Sequence, residues 1–401
     1  MSLLRHGYAT GALLGAAWLV TLAITAAIVM SFATGAGVRP VVWTSLLWGA
    51  VLGAGLAALG ARHAWAAGCA VALLTALQLL PPLATATDGW PLILGALALG
   101  AAFAAAMAPT LRGLAPGAND RHAFEAAVIR FLTGFGYIFF TAIVAIPFWV
   151  MLVTSTRNRA ELVANPLDLS IDLSKGWGLL RAYGELFTQF NFGTYLWNSF
   201  AISVITVLVT LIFAIPGAYA VARLRFAGRA AFSRSILLIY MVPMIVLALP
   251  IYIAFSVTGL RNSILGIILI YPVTTIPVAL YMLQGYFRGL PAEVEEAGLM
   301  DGLSRLQVIW KITLPLSLPA LASVSLYVFM IAWNEFLLAF MLLDDPSKFT
   351  LTRGIAALDS SEIPRQTLMA GSVVATVPIL ALFLGLERFM TKGLAAGSVK
   401  G

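Results

Sequence analysis

The chain has 401 residues, of which 61% are hydrophobic and only 10% charged, with a formal net charge of +7 and a mean hydropathy of +0.96. Soluble domains carry about 25% charged residues, so this composition excludes an ordinary soluble enzyme and points to a chain embedded in lipid. A single cysteine, Cys69, sits in an apolar run and excludes a disulfide framework or a cysteine-based metal site.

Ten apolar segments approach the ~20 residues that cross a hydrocarbon core of about 30 Å. In chain order they are 9–33, 41–61, 64–80, 91–107, 131–155, 198–222, 235–258, 263–287, 316–343 and 368–386. Inside lipid every backbone amide must find its partner within the chain, and no strand-like alternation is visible. The expected fold is therefore all-α and polytopic, with about ten helices. The first segment is too long for a signal-peptide core and is read as a retained span. With Met1 inside, Lys and Arg outnumber Asp and Glu about two to one on the inner side and balance them outside, as the positive-inside rule expects. Both termini are accordingly expected in the cytoplasm. The basic charge is topological rather than a nucleic-acid footprint, because no basic patch is interleaved with aromatics.

Residues 1–122 form an Ala-, Gly- and Leu-rich accessory block of about four helices. It ends in a polar linker with Arg112, Gly113, Pro116 and Gly117. The core, 123–401, holds six spans and three larger loops. The outer loop 156–197 is amphipathic, with Leu179, Leu180, Tyr183, Leu186 and Phe187 among charges, and should contain a helix at the membrane surface. Residues 288–315 form an inner loop, and 344–367 a second large outer one.

The inner loop is the most informative stretch. Pro291 suits the first turn of a helix, and Glu293, Glu295 and Glu296 favour its positive end. Gly302 breaks that helix, Ser304 is a suitable N-cap, and a second short helix with Leu306, Val308, Ile309 and Ile312 is expected to stop at Pro315. The product is a helix–turn–helix finger with apolar knobs and an acidic end, suited to a groove in another protein.

Glu296-Ala297-Gly298, Asp301-Gly302 and then Ile312-Thr313-Leu314-Pro315 resemble the EAA loop of ABC-importer permeases. Three further features extend the resemblance to about 280 residues. These are Trp333-Asn334-Glu335-Phe336, the run Ala222-Arg223-Leu224-Arg225-Phe226, and the tail 393–401. Together they resemble the carbohydrate ABC-importer permeases, on the side of the smaller maltose-permease subunit. That resemblance implies a sugar or oligosaccharide permease whose Glu296, Ala297, Gly298, Asp301, Gly302, Ile312, Leu314 and Pro315 contact a separate ATPase. It also implies that tail residues Gly397, Ser398, Val399 and Lys400 touch the ATPase. The outer loop, with Thr350, Leu351, Arg353 and Gly354, would meet an extracytoplasmic sugar-binding protein. The implied partners are a second homologous permease, two ATP-binding-cassette subunits, that binding protein and membrane lipid, in a bacterial inner membrane. Gly298 departs from the family's second Ala and would loosen the helix, and the block 1–122 is additional to the pattern.

Glu335 is the one acidic residue placed inside an expected span, so Asn334 and Glu335 are candidates either for the transport pathway or for a structural hydrogen bond. Pro147, Pro216, Pro243, Pro250, Pro272 and Pro277 interrupt core spans and are expected to kink them. Trp149, Trp177 and Trp197 read as interfacial anchors rather than sugar platforms. No phosphate loop occurs, His6, His63 and His122 have no metal-ligand spacing, and no nucleophile–base set is present. Neither catalysis nor a cofactor or metal is therefore expected in this chain; ATP and Mg would belong to the ATPase. The competing readings are an ABC permease for a non-sugar solute and an ion-gradient-driven carrier.

Overall fold

The computed structural model describes residues 3–85, 89–165, 168–238, 242–360 and 362–398, without side-chain detail at Leu3, at Leu237 and from 386 onward. Most described residues are helical, and the chain divides into two compact units, Met1–Leu179 and Leu180–Gly401. The division falls later than the 122/123 boundary read from composition, because the helix that begins at Arg121 packs on the helices before it.

In the first unit, α1 (Gly7–Thr34) and α2 (Val42–Leu59) lie against each other along most of their length. Gly11 and Gly15 face Gly49 and Gly53, so the two backbones touch: a Cβ added at Gly11 would lie 2.5 Å from the Gly53 carbonyl oxygen. Small residues at i and i+4 are what allow two apolar helices to approach this closely in lipid, where burial alone gives little. α3 (Ala64–Ala76) and α4 (Trp90–Thr110) repeat the arrangement through Gly68 and Gly100. A two-residue antiparallel pair, β1 (Arg39–Pro40) with β2 (Leu83–Ala84), ties the two loops together. Trp18, Leu19, Phe103 and Met107 fill the core, and Trp18 Nε1 donates to Thr110 Oγ1 at 3.0 Å.

Asp120 then caps α5 (Arg121–Ser155), accepting from the Ala123 amide at 2.8 Å. Beyond it, Asn158 and Glu161 form a capping box on α6 (Arg159–Ala164), and the ion pairs Arg157–Asp168 (2.7 Å) and Lys175–Glu161 (2.6 Å) fold the loop back. Burial pushes the Asp168 carboxyl up. Hydrogen bonds from Ser170 and the Arg157 guanidinium outweigh that and hold it below the usual range.

The second unit opens with α7 (Arg181–Gln189), the amphipathic helix expected in the outer loop, with Ala182 and Leu186 buried. Next come α8 (Phe192–Arg223), α9 (Arg229–Leu238), α10 (Met244–Val257) and α11 (Ile264–Gly289), of which α8 and α11 form the main pair. A finger follows, built of α12 (Ala292–Met300), α13 (Arg305–Val308), a wide π turn (Ile309–Thr313) and α14 (Leu314–Leu316). α15 (Leu318–Asn334) returns against α8, and α16 (Leu337–Leu342), α17 (Leu351–Leu358) and α18 (Arg365–Ser398) complete the unit. One core cluster gathers Phe192, Ile202, Tyr271 and Trp333; another gathers Ala218, Tyr219, Leu283 and Phe287.

Seven described helices are long and apolar enough to cross a membrane, and Arg305–Leu316 with Leu318–Asn334, bent by 79°, makes an eighth if counted as one span. The other two expected segments are helical but short. The helix in 64–80 stops at Ala76, where Gln78 and Leu80 turn left-handed ahead of Pro81-Pro82. In 235–258 the described helices are the end of α9, to Leu238, and α10, whose 14 residues begin after Pro243.

Candidate functional site

The finger grows out of the end of α11. Leu290 (φ −70°, ψ 143°) and Pro291 (φ −58°, ψ 127°) are extended, which ends α11 and starts α12 at a new angle. Asp301 closes α12, and Gly302 at φ +82° occupies the left-handed region that a side chain disfavours. The Leu303 amide reaches back to the Gly298 carbonyl at 3.1 Å. Ser304 and Gln307 then form a reciprocal capping box on α13.

The expected stop at Pro315 falls two residues later. The helix widens into the π turn just ahead of Pro315 and breaks at Ser317. Pro315 has no donor for the carbonyl four residues back and its ring crowds that position, which a wider turn relieves.

Glu295 and Glu296 part company in this geometry. Glu296 is exposed, whereas Glu295 is buried and gathers three elements. Tyr219 Oη donates to Glu295 Oε2 at 3.1 Å and Thr313 Oγ1 donates to Oε1 at 3.0 Å. Arg223 Nε lies 3.4 Å from the same carboxylate, and Arg223 Nη2 donates to the Leu290 carbonyl at 2.7 Å. One carboxylate thus ties the finger's two helical arms to the end of α8.

Gly298 lies on the buried side of α12, where an added Cβ would sit 2.5 Å from Ile312 Cδ1. Its lack of a side chain lets the two arms close, rather than loosening the helix. Ile312 and Val308 therefore face inward, and the outward apolar groups are Val294, Met300, Leu306 and Trp310, the last two about 70% exposed. Ala297, Asp301, Gly302 and Pro315 are exposed, and Leu314 is half-buried. Met300 and Trp310 escaped the sequence reading, and Glu295 was read there only as a charge at the helix's positive end. The i, i+3 pairing of Glu295 with Gly298 was the signal that marked a buried face.

Glu335 lies where α15 ends, at φ −66° and ψ 123°. Its carboxylate accepts from the Leu338 and Ala339 amides at 2.8 and 3.1 Å, capping α16, and its carbonyl accepts from Thr352 Oγ1 at 2.6 Å. Among the described residues the buried Tyr271 hydroxyl has no hydrogen-bond partner. Asn334 is exposed and donates within its own helix, to the Met330 carbonyl.

The loop after α16 is docked rather than free. Arg261 pairs with Asp344 at 2.6 Å, Asn198 Nδ2 donates to the Ser347 and Phe349 carbonyls at 3.1 Å each, and the Leu351 amide donates to Ser199 Oγ at 2.7 Å. Thr350, Leu351 and Gly354 are buried; Arg353 lies over the rings of Phe340 and Phe349. Of the tail residues, Gly397 and Ser398 end α18, and Val399 and Lys400 fall outside the described residues.

Residues 214–395, which include the whole finger and both Glu335 and the docked loop, match the family model of the binding-protein-dependent transport system inner membrane component. The inner membrane ABC transporter permease protein YcjP of Escherichia coli K12 is 38% identical over 269 residues, covering 66% of this chain and 95% of that protein. The chain belongs to this permease family. It is an ABC-importer permease, a multi-span membrane transport subunit rather than a catalytic protein. Among its relatives, the trehalose/maltose permease MalG of Thermococcus litoralis is 33% identical, covering 69% of this chain and 99% of that protein. The arabinooligosaccharide permease AraQ of Halalkalibacterium halodurans is 32% identical, covering 68% and 98%. A chain from a bacterial ABC transporter that imports alginate shares the fold, with a TM-score of 0.56, 24% identity and coverage of 68% and 99%.

Proposed function

We propose that this permease carries a sugar or oligosaccharide and is driven by a separate ATPase that grips the finger 288–315. The reading is supported above all by the Glu295 anchor. The finger is tied rigidly to α8 on one side and leaves Glu296, Met300, Leu306 and Trp310 exposed on the other. An exposed carboxylate ringed by apolar knobs suits a groove with a basic residue, the helix-in-groove mode. ATP and Mg belong to the ATPase, and this chain binds no cofactor of its own. The assembly comprises this chain, a second homologous permease, two ATP-binding-cassette subunits and an extracytoplasmic binding protein. Its termini are cytoplasmic, with the tail 397–400 against the ATPase. The loop containing Thr350, Leu351, Arg353 and Gly354 faces the binding protein, presenting Arg353 and the exposed Ala357, Asp359 and Ser360. The core is 123–401 and the block 1–122 is accessory. The solute class comes from the relatives, whose names specify trehalose, maltose and arabinooligosaccharides.

The test is reconstitution of the assembly that co-purifies with the tagged chain. Glu296→Lys reverses the charge at the contact without touching the Glu295 anchor. Import and binding-protein-stimulated ATP hydrolysis should fall together by about tenfold or more, the effect of ~1.4 kcal/mol lost at the contact. Unchanged import with Glu296→Lys and Gly302→Pro combined would remove the coupling role. Import in vesicles without ATP would favour a gradient-driven carrier instead.

A further inference from the structure

Beyond the ends of α8 and α11 lies a cavity of about 520 Å³ whose lining includes Arg229, Arg234, Arg288, Ser233 and Phe226 and no carboxylate. Among the described residues none of these three arginines forms an ion pair. Arg223, their near neighbour in sequence, is neutralised by Glu295; these are not. Two of them are held by neutral acceptors. Arg229 Nη2 donates to the Ala222 carbonyl at 3.1 Å, and the Arg288 guanidinium faces the Gln284 amide oxygen at 3.0 and 3.2 Å when that amide is oriented to accept. Gln284 is itself held by Ser233. Two of the guanidinium groups, Arg229 and Arg288, are thus positioned without being discharged.

Depth and surroundings select the ligand. α8 has 32 residues, which at ~1.5 Å each exceed the hydrocarbon thickness of about 30 Å, so its Arg223 end reaches the headgroup layer. Phe226 in the lining is exposed, and so are Phe232 and Leu238 of α9, the helix that supplies Arg229 and Arg234 to the cavity. A soluble phosphate would use the charge and leave this apolar rim wet, whereas a lipid uses both. Basic pockets between membrane helices take such headgroups. We propose that this cavity binds the phosphate-bearing headgroup of an anionic phospholipid, with Arg229, Arg234 and Arg288 around the phosphate and Phe226 and Phe232 along the acyl chains.

The full-length chain, purified in uncharged detergent and given equal amounts of phosphatidylglycerol and phosphatidylcholine, would be examined by native mass spectrometry. Wild type should retain phosphatidylglycerol selectively. Arg234→Gln with Arg288→Gln should reduce that retention at least about tenfold, since each basic residue near an anionic surface contributes roughly fivefold. Arg234→Gln alone, at an exposed side chain, should show its own share if the double variant folds poorly. Arg159→Gln with Arg181→Gln removes the same charge elsewhere and should leave retention unchanged. Equal retention by wild type and the cavity variants overturns the proposal, as does an equal loss in the control pair. Displacement of the lipid by excess inorganic phosphate would assign the cavity to a soluble anion instead. Retention is read on the chain alone, so its failure is separate from any failure of the ATPase coupling.

Discussion

Glu295 and Glu296 are neighbours in one helical turn with opposite surroundings, one buried and one exposed, and the difference is measurable. Removing the Glu295 carboxylate leaves Arg223 largely buried with no counter-charge and deprives the Tyr219 and Thr313 hydroxyls of their acceptor. Glu295→Ala should therefore cost about 2–3 kcal/mol, the range for breaking a charge-assisted network. Thermal unfolding of the purified chain would show it as a lowered midpoint. Glu295→Gln keeps an acceptor for Tyr219 and should recover part of that loss. It should still lower import per ATP hydrolysed, because the finger is then tied less tightly to α8; an unchanged ratio would make the network purely structural. Glu296→Lys should do the reverse, leaving the midpoint within ~0.5 kcal/mol of wild type, as exposed substitutions do.

A second residue-scale test concerns pH. The Asp168 carboxyl is held below its usual range in the folded chain by Ser170 and Arg157 against the opposing effect of burial. A depressed folded value contributes stability that is complete above the unfolded value near 3.9 and is lost as pH falls through the folded one. Asp168→Asn should thus cost about 1 kcal/mol at neutral pH and flatten this part of the acid loss below about pH 4. Unfolding midpoints measured from pH 7 down to acid, on both variants, would show whether the curves converge.

At the scale of elements, the apolar runs marked the helices well and marked their breaks poorly. Each of the ten segments contains a described helix, because lipid leaves the backbone no other local option. Hydropathy, however, is blind to where a helix bends. The break at Ser317 and the exit at Glu335 lie inside one apolar run, 316–343. Glu335 was legible as an unusual charge but not as a cap, since its bonds go to the amides of a helix only six residues long. Likewise the spacing of Glu296, Gly302 and Pro315 was visible in the sequence, whereas the anchor at Glu295 depends on Tyr219 and Arg223, more than 70 residues away. The glycines of α1 and α2 carry a prediction of their own. Gly11→Val would drive a branched side chain into the Gly53 carbonyl and the Ala57 Cβ, so the pair must separate. The cost should be about 1–3 kcal/mol, the usual penalty for overpacking, seen as a lowered unfolding midpoint.

At the scale of the whole molecule, the first 122 residues can be tested by removal. The relatives are covered almost to their full length, 95% for the Escherichia coli protein and 99% for the Thermococcus litoralis one, by alignments that use about two-thirds of this chain. About a third of this chain therefore lies outside what these relatives match. Within the first block Leu19, Phe103 and Met107 are buried in one cluster with Trp18, which α5 helps to cover. α5 is the element that would feel its loss, since Phe131 packs edge-on against Trp18 and Gly134 admits the same indole ring. Those groups are apolar, and lipid can cover them without the penalty that water would exact. A chain starting at Asn119 keeps the Asp120 cap on α5 and should insert, co-purify with its ATPase and import at a rate within about threefold of the full chain, a barrier change of less than ~1 kcal/mol. Import lost while the ATPase still co-purifies would instead place the first block in the transport step. Loss of both would mean that α5 cannot be positioned without α1 and α4.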